Sequence, residues 1–171
     1  MASHSNVSLI GMPGCGKSTT GVLLAKKLGY GFIDTDLLIQ QMTRQTLQAI
    51  IDCQGFLALR EFEQRALLSL APIQQVIATG GSAVYSQAGI DHLKSLGPLV
   101  YLQMDLGELE RRVGDYRQRG IASDSKQSFA DIYHERCPLY ERAADIVIDV
   151  NNLPHETVVD KLIVAIGNRL K

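Results

Sequence analysis

The strongest constraint on this chain lies in residues 11–18, GMPGCGKS, which fit the spacing Gly-x-x-x-x-Gly-Lys-Ser at every fixed position. They stand between the apolar run Val7–Ile10 and a stretch of good helix formers at 19–28. A short apolar strand, a glycine-rich turn and a helix must therefore follow one another without a linker. Gly11, Gly14 and Gly16 let backbone N–H groups converge on phosphate oxygens, and the helix N-terminus adds its partial positive charge. Lys17 brings a full charge to the β- and γ-phosphates, and the Ser18 hydroxyl is placed to bind Mg²⁺. The loop from Gly11 through Cys15 to Thr19 is thus expected to hold a nucleotide.

The same rhythm continues along the chain. Apolar runs at 31–33, 75–78, 98–102 and 145–148 make four more candidate strands, and 58–70 and 106–113 have the spacing of crossover helices. This alternation predicts a three-layer α/β/α architecture with five parallel strands covered on both faces. Residues 154–171 begin with a proline suited to a helix's first turn and read as a packing helix. With 171 residues, 46% of them hydrophobic, the chain has enough apolar surface for a core without disulfides or a structural metal. One domain over 1–171 is expected.

A net charge of -1 gives no general reason to expect nucleic acid or an anionic membrane as partner. No run approaches the ~20 apolar residues of a membrane span, and the N-terminus lacks the basic start of an export signal. Cys15, Cys53 and Cys137 are scattered and odd in number, which suits a reducing cytoplasm and assigns them no metal. Residues 114–127, GDYRQRGIASDSKQ, break the pattern: they are polar and carry Arg117, Arg119 and Lys126. A long cationic loop near a phosphate site reads as a closing lid, with a plain surface connection as the alternative.

The second apolar run ends in Asp34-Thr35-Asp36, at the sheet edge where ligands collect. Strand alternation would point both aspartates the same way. One is then expected to help hold hydrated Mg²⁺, and the other to orient an acceptor hydroxyl or take its proton. A bland alternative has Asp36 capping a helix that begins at Leu37. The third run leads into Ala78-Thr79-Gly80-Gly81-Ser82, where bare backbone admits a ligand closely or merely turns tightly. No aspartate ends that run, which leaves Mg²⁺ to Ser18 and Asp34. Arg60, Arg112, Arg119 and Arg136 are the candidate forks for phosphate or carboxylate oxygens.

Taken together, GMPGCGKST, DTD, LREFE, ATGGSAV and ERCPLYERAAD resemble the shikimate kinase family in kind, order and spacing, from Val7 to the C-terminal helix. The resemblance implies a sheet of the P-loop nucleoside monophosphate kinase type and phosphorylation of the 3-hydroxyl of shikimate by ATP and Mg²⁺. It implies that Lys17 and Ser18 serve phosphate and metal, Asp34 the metal, and Asp36 the acceptor hydroxyls. Arg60 and Arg136 match the arginines that hold the shikimate carboxylate, with Gly80 and Gly81 beside the same ligand. Arg119 falls where a lid arginine reaches the transferring phosphate, and Arg112 where an arginine lies on adenine.

Four positions depart from the family pattern. A usual third glycine is Ser82, the lid's Arg-Pro-Leu-Leu is Arg119-Gly120-Ile121-Ala122, a Phe-Arg is Leu59-Arg60, and a Gly-Glu is Gly55-Phe56. A cytoplasmic, monomeric kinase acting on a small hydroxy acid is the expectation. The alternatives are a related kinase for another hydroxylated metabolite such as a sugar acid, or a catalytically weak nucleotide-binding regulator. Against a guanine-nucleotide switch, the chain has no Asn-Lys-x-Asp after its fourth strand and no Asp-x-x-Gly after its third.

Overall fold

A computed structural model describes residues 6–114, 120–124 and 126–167. Its centre is strand β1 (Val7–Ile10), buried at every position, as a strand covered on both faces must be. Around it run β2 (Gly31–Asp34), β3 (Gln75–Ala78), β4 (Leu99–Gln103) and β5 (Ile146–Asp149) in the order β2-β3-β1-β4-β5, every pairing parallel. Five parallel strands were expected, and their edges move by one residue where side chains decide. Strand β4 starts after Pro98, whose ring nitrogen donates no bond. Asp145 stands just outside β5 because its carboxylate accepts from the Leu99 N–H at 2.9 Å.

The helices are α1 (Lys17–Leu28), α2 (Thr35–Thr43), α3 (Leu47–Gln54), α4 (Phe56–Ser69), α5 (Gln87–Leu96), α6 (Leu106–Val113), α7 (Phe129–Ala143) and α8 (His155–Ile166). Helix α8 starts one residue after Pro154, which serves as its N-cap. Right-handed crossovers put α1, on the path from β1 out to β2, on one face of the sheet. The β3-to-β4 crossover runs the opposite way, so α5 lies on the other face. Neighbouring strands β1 and β3 thus send their chains apart, and a crevice opens above their carboxyl ends. The main core fills both sides of the sheet, with Leu9, Ile10, Leu24, Ile77, Leu93 and Leu162 fully enclosed. A smaller cluster of Ile39, Ile50, Leu59 and Ala66 holds α2, α3 and α4 together beside the crevice.

Candidate active site

The crevice is a cavity of about 430 Å³, and the glycine-rich loop forms its floor. Gly14 and Gly16 have φ of 88° and 95°, left-handed values that favour glycine. Side chains there would also collide: a Cβ on Gly14 would start 2.4 Å from Val113, and one on Gly16 2.8 Å from His155. Lys17, buried, donates to the carbonyls of Gly11 and Met12 at 2.8 and 2.9 Å, which folds its ammonium over the loop. An ammonium has three donors, so this anchorage is compatible with a phosphate contact. Cys15 instead turns its side chain into the core, and its N–H bonds the Met12 carbonyl at 3.2 Å. Cys15 and Gly11 therefore stand behind the lining.

Asp34 and Asp36 do not share one strand's alternation, as the sequence suggested. Strand β2 ends at Asp34, which caps α2: its Oδ1 accepts from the N–H groups of Asp36 and Leu37 at 2.9 and 3.4 Å. The cap is thus Asp34 rather than Asp36. Its other oxygen accepts the Ser18 hydroxyl at 2.6 Å, which brings two hard oxygen donors together beside the phosphate loop. That donor pair fits Mg²⁺, an ion that keeps several waters and takes few protein ligands. Asp36, in the first turn of α2, lines the cavity. Burial, then the neighbouring Asp34 charge, raises its carboxyl to about 6 against the pull of Lys17.

Glu63 faces the same spot and escaped sequence reasoning. It lies on α4 three residues after Arg60, is almost wholly buried, and accepts a hydrogen bond from the Ser82 hydroxyl. Burial, then the Asp36 charge, pushes it to about 8. The i, i+3 spacing from an arginine was its only sequence signal. Gly80 explains itself here: a Cβ would begin 2.1 Å from a Glu63 oxygen and 2.7 Å from an Asp36 oxygen. The two carboxyls are neighbours because nothing separates them. At Gly81 a Cβ would meet Pro13 and Arg136 at 2.9 and 3.0 Å, while its carbonyl accepts the Tyr140 hydroxyl. These two glycines are demanded first by the protein's own packing.

Arg136, on α7, is 1% exposed yet lines the cavity. Its Nη2 donates to the Ala122 carbonyl at 2.7 Å, and Arg60 Nη2 reaches the same oxygen at 3.3 Å. Arg60 stands behind the wall, meeting the cavity through that shared contact. The Nε of each is buried without a hydrogen-bond partner. Arg112, whose Nε donates to Glu108 at 2.8 Å along α6, lines the cavity together with Thr19 and His155. His155, whose ring nitrogen lies 3.1 Å from Thr20 Oγ1, also went unnoticed in the sequence. Arg117 and Arg119 lie outside the described residues, as does the central part of the expected lid. Beyond it Gly120 turns with φ of 63° and donates to Gln48 at 3.1 Å, a geometry closed to proline.

A glycine-rich loop with its buried lysine, the Ser18–Asp34 oxygen pair, the Asp36–Glu63 carboxyls and the Arg60–Arg136 pair thus gather at or just behind the wall of one cavity. A family model described as shikimate kinase matches residues 13–167. The chain is 34% identical to shikimate kinase 2 of Pectobacterium atrosepticum, covering 91% of this chain and 93% of that protein. With a shikimate kinase of Haemophilus influenzae the identity is 31% over 98% and 96%. Among solved structures, a shikimate kinase from Acinetobacter baumannii in complex with shikimate superposes with a TM-score of 0.88 at 30% identity, covering 98% and 96%. A gluconokinase from Sinorhizobium meliloti, at 17% identity and a TM-score of 0.54, shares the fold alone. By its matched residues and its full-length relatives, this chain belongs to the shikimate kinase family.

Proposed function

We propose that this kinase transfers the γ-phosphoryl group of ATP to the 3-hydroxyl of shikimate. The observation that carries this reading is the pair Arg60 and Arg136, two guanidiniums converging on the Ala122 carbonyl oxygen and each holding a buried Nε without a hydrogen-bond partner. A cation pair suits a carboxylate, and Asp36, which lines the same cavity as Lys17 and Arg136, suits that acid's hydroxyl.

In this reading the loop N–H groups and Lys17 hold the β- and γ-phosphates. Ser18 and Asp34 would hold Mg²⁺, which supplies charge neutralisation on the phosphates. Arg60 and Arg136 grip the carboxylate, and Asp36 orients the hydroxyl. As the new O–P bond forms and the bond to the β-phosphate oxygen breaks, Asp36 accepts the hydroxyl proton. Arg119 meets the transferring group and Arg112 lies against adenine. The enzyme works in the cytoplasm as a monomer.

A coupled ADP-release assay with ATP and Mg²⁺, comparing shikimate, gluconate, a nucleoside monophosphate and no acceptor, tests the assignment. Stimulation by shikimate alone is the expected result; stimulation by gluconate alone would move the acceptor to a sugar acid. Protein that binds ATP but transfers to none of them would be a regulator instead.

A further inference from the structure

Arg60 and Arg136 pose a physical problem that Glu63, among the residues already discussed, eases without a direct ion pair. Two like charges lie side by side, one of them 1% exposed, and neither is ion-paired with a carboxylate among the described residues. Burial draws the Arg60 guanidinium down from its ordinary value, and the nearby Arg136 charge adds to that. Something must favour the cationic form here without using the donors that an acid substrate needs.

Tyr85 meets that description. It ends the short turn Ala83–Tyr85 that follows the glycine pair. The Arg60 guanidinium carbon stands 3.6 Å from the centre of its ring, and that of Arg136 5.4 Å from the same ring. Phe56 offers Arg60 a second, more distant ring at 5.1 Å. An aromatic face attracts a cation through the plane of the guanidinium, whereas a carboxylate partner would take the in-plane N–H groups. Face contact therefore stabilises the Arg60 charge and leaves its edge free, in keeping with its idle Nε, while Arg136 meets Tyr85 through a hydrogen bond to the ring hydroxyl. The ring is itself fixed: its hydroxyl donates to Glu135, and the other Glu135 oxygen accepts Gln127 Nε2 at 2.7 Å.

We propose that Tyr85 is a positioning residue for the acceptor's acid group, its ring holding the Arg60 guanidinium face-on beside Arg136 so that the in-plane donors of both converge on one carboxylate. The Ala122 carbonyl that they share is a neutral, single acceptor, which a two-oxygen anion outcompetes. This inference rests on the acceptor being shikimate or a similar acid.

The test measures KM and kcat for shikimate and for its uncharged methyl ester in wild type, Tyr85→Leu and Tyr85→Phe, with calorimetric titration of shikimate in parallel. Tyr85→Leu keeps apolar bulk but loses the π face. It is expected to raise KM and Kd for the acid about tenfold, with kcat and the KM for ATP near wild type. The ester is expected to show no such penalty, and Tyr85→Phe, which keeps the face, to recover most of the acid's affinity. A Tyr85→Leu enzyme with wild-type KM for shikimate overturns the role of Tyr85 alone. So does an equal penalty on acid and ester, or a loss shared by kcat with a lowered melting temperature, since either marks a merely structural residue. Wild-type protein that neither binds nor phosphorylates shikimate would overturn the functional reading, and this inference with it.

Discussion

Two carboxyls, Asp36 and Glu63, carry the pH dependence expected of the proposed reaction and of the fold. In the proposed reaction Asp36 would orient and deprotonate the hydroxyl only when ionised, and burial with the Asp34 charge raises its carboxyl to about 6. The rate is therefore expected to fall as pH drops through about 6, and a pH profile of kcat/KM, which reports the groups of the free enzyme, reads this. Asp36→Asn is expected to lower kcat by about 10²- to 10⁴-fold while ATP binding persists. The same shift acts on stability with the opposite sign from a salt-bridged aspartate. A carboxyl raised from 3.8 to about 6 binds its proton more tightly folded than unfolded, so its contribution is greatest below the unfolded value and is lost as pH rises through about 6. Glu63 extends that loss to about 8. Asp36→Asn is thus expected to raise the melting temperature at pH 8 by about 2–4 °C, a gain of about 1 kcal/mol, while the reaction fails. Gly120 offers a third test at this scale. Restoring the family's proline there removes the N–H that bonds Gln48 and demands a φ that the ring forbids. Gly120→Pro is expected to lower kcat for shikimate about tenfold with the KM for ATP unchanged.

Among the elements, α7 bears the most on the site, because it carries Arg136 into the core and Glu135 to the ring of Tyr85. Its start is well specified: the Ser128 hydroxyl accepts from Asp131 N–H at 3.1 Å, and Asp131 accepts from Ser128 N–H at 2.9 Å, a reciprocal capping box. Ser128→Ala is expected to cost about 1 kcal/mol in urea denaturation, since the first turn then loses its acceptor. The helix itself was hard to read from sequence, with Pro138 inside it and a polar face that conceals one wholly buried arginine. Helix α6 was legible to the residue, and α1 and α4 to within two, because their apolar spacing is regular. The aspartate pair was misread at this same scale. Period-two reasoning holds only while a strand lasts, and β2 stops at Asp34 because that side chain is needed as the cap of α2.

For the whole molecule, ligand binding is the natural probe, because the cavity draws on residues from Pro13 in the glycine-rich loop to His155 at the start of α8. Shikimate at about 100 times its Kd is expected to stabilise the fold by about 2.7 kcal/mol, which a thermal-shift experiment reads as roughly 5–10 °C. Arg136→Met is expected to abolish the shift from shikimate and to keep the one from ATP, since the proposed reading gives this arginine to the acid's carboxylate and not to the nucleotide. None of the described helices is long and apolar enough to cross a membrane.

The local signals determined what local physics controls. A glycine-rich loop between an apolar strand and a helix pointed to a phosphate cradle, and alternating apolar runs and helical stretches to a parallel sheet, since each feature depends on residues a few places apart. The order β2-β3-β1-β4-β5, the meeting of Asp36 with Glu63 over Gly80, and the stacking of Arg60 on Tyr85 were decided by the tertiary structure. Such contacts join residues far apart in the chain or on different elements. Their energies come from burial and from charges facing one another across a cavity, and neither exists until the chain has closed around it.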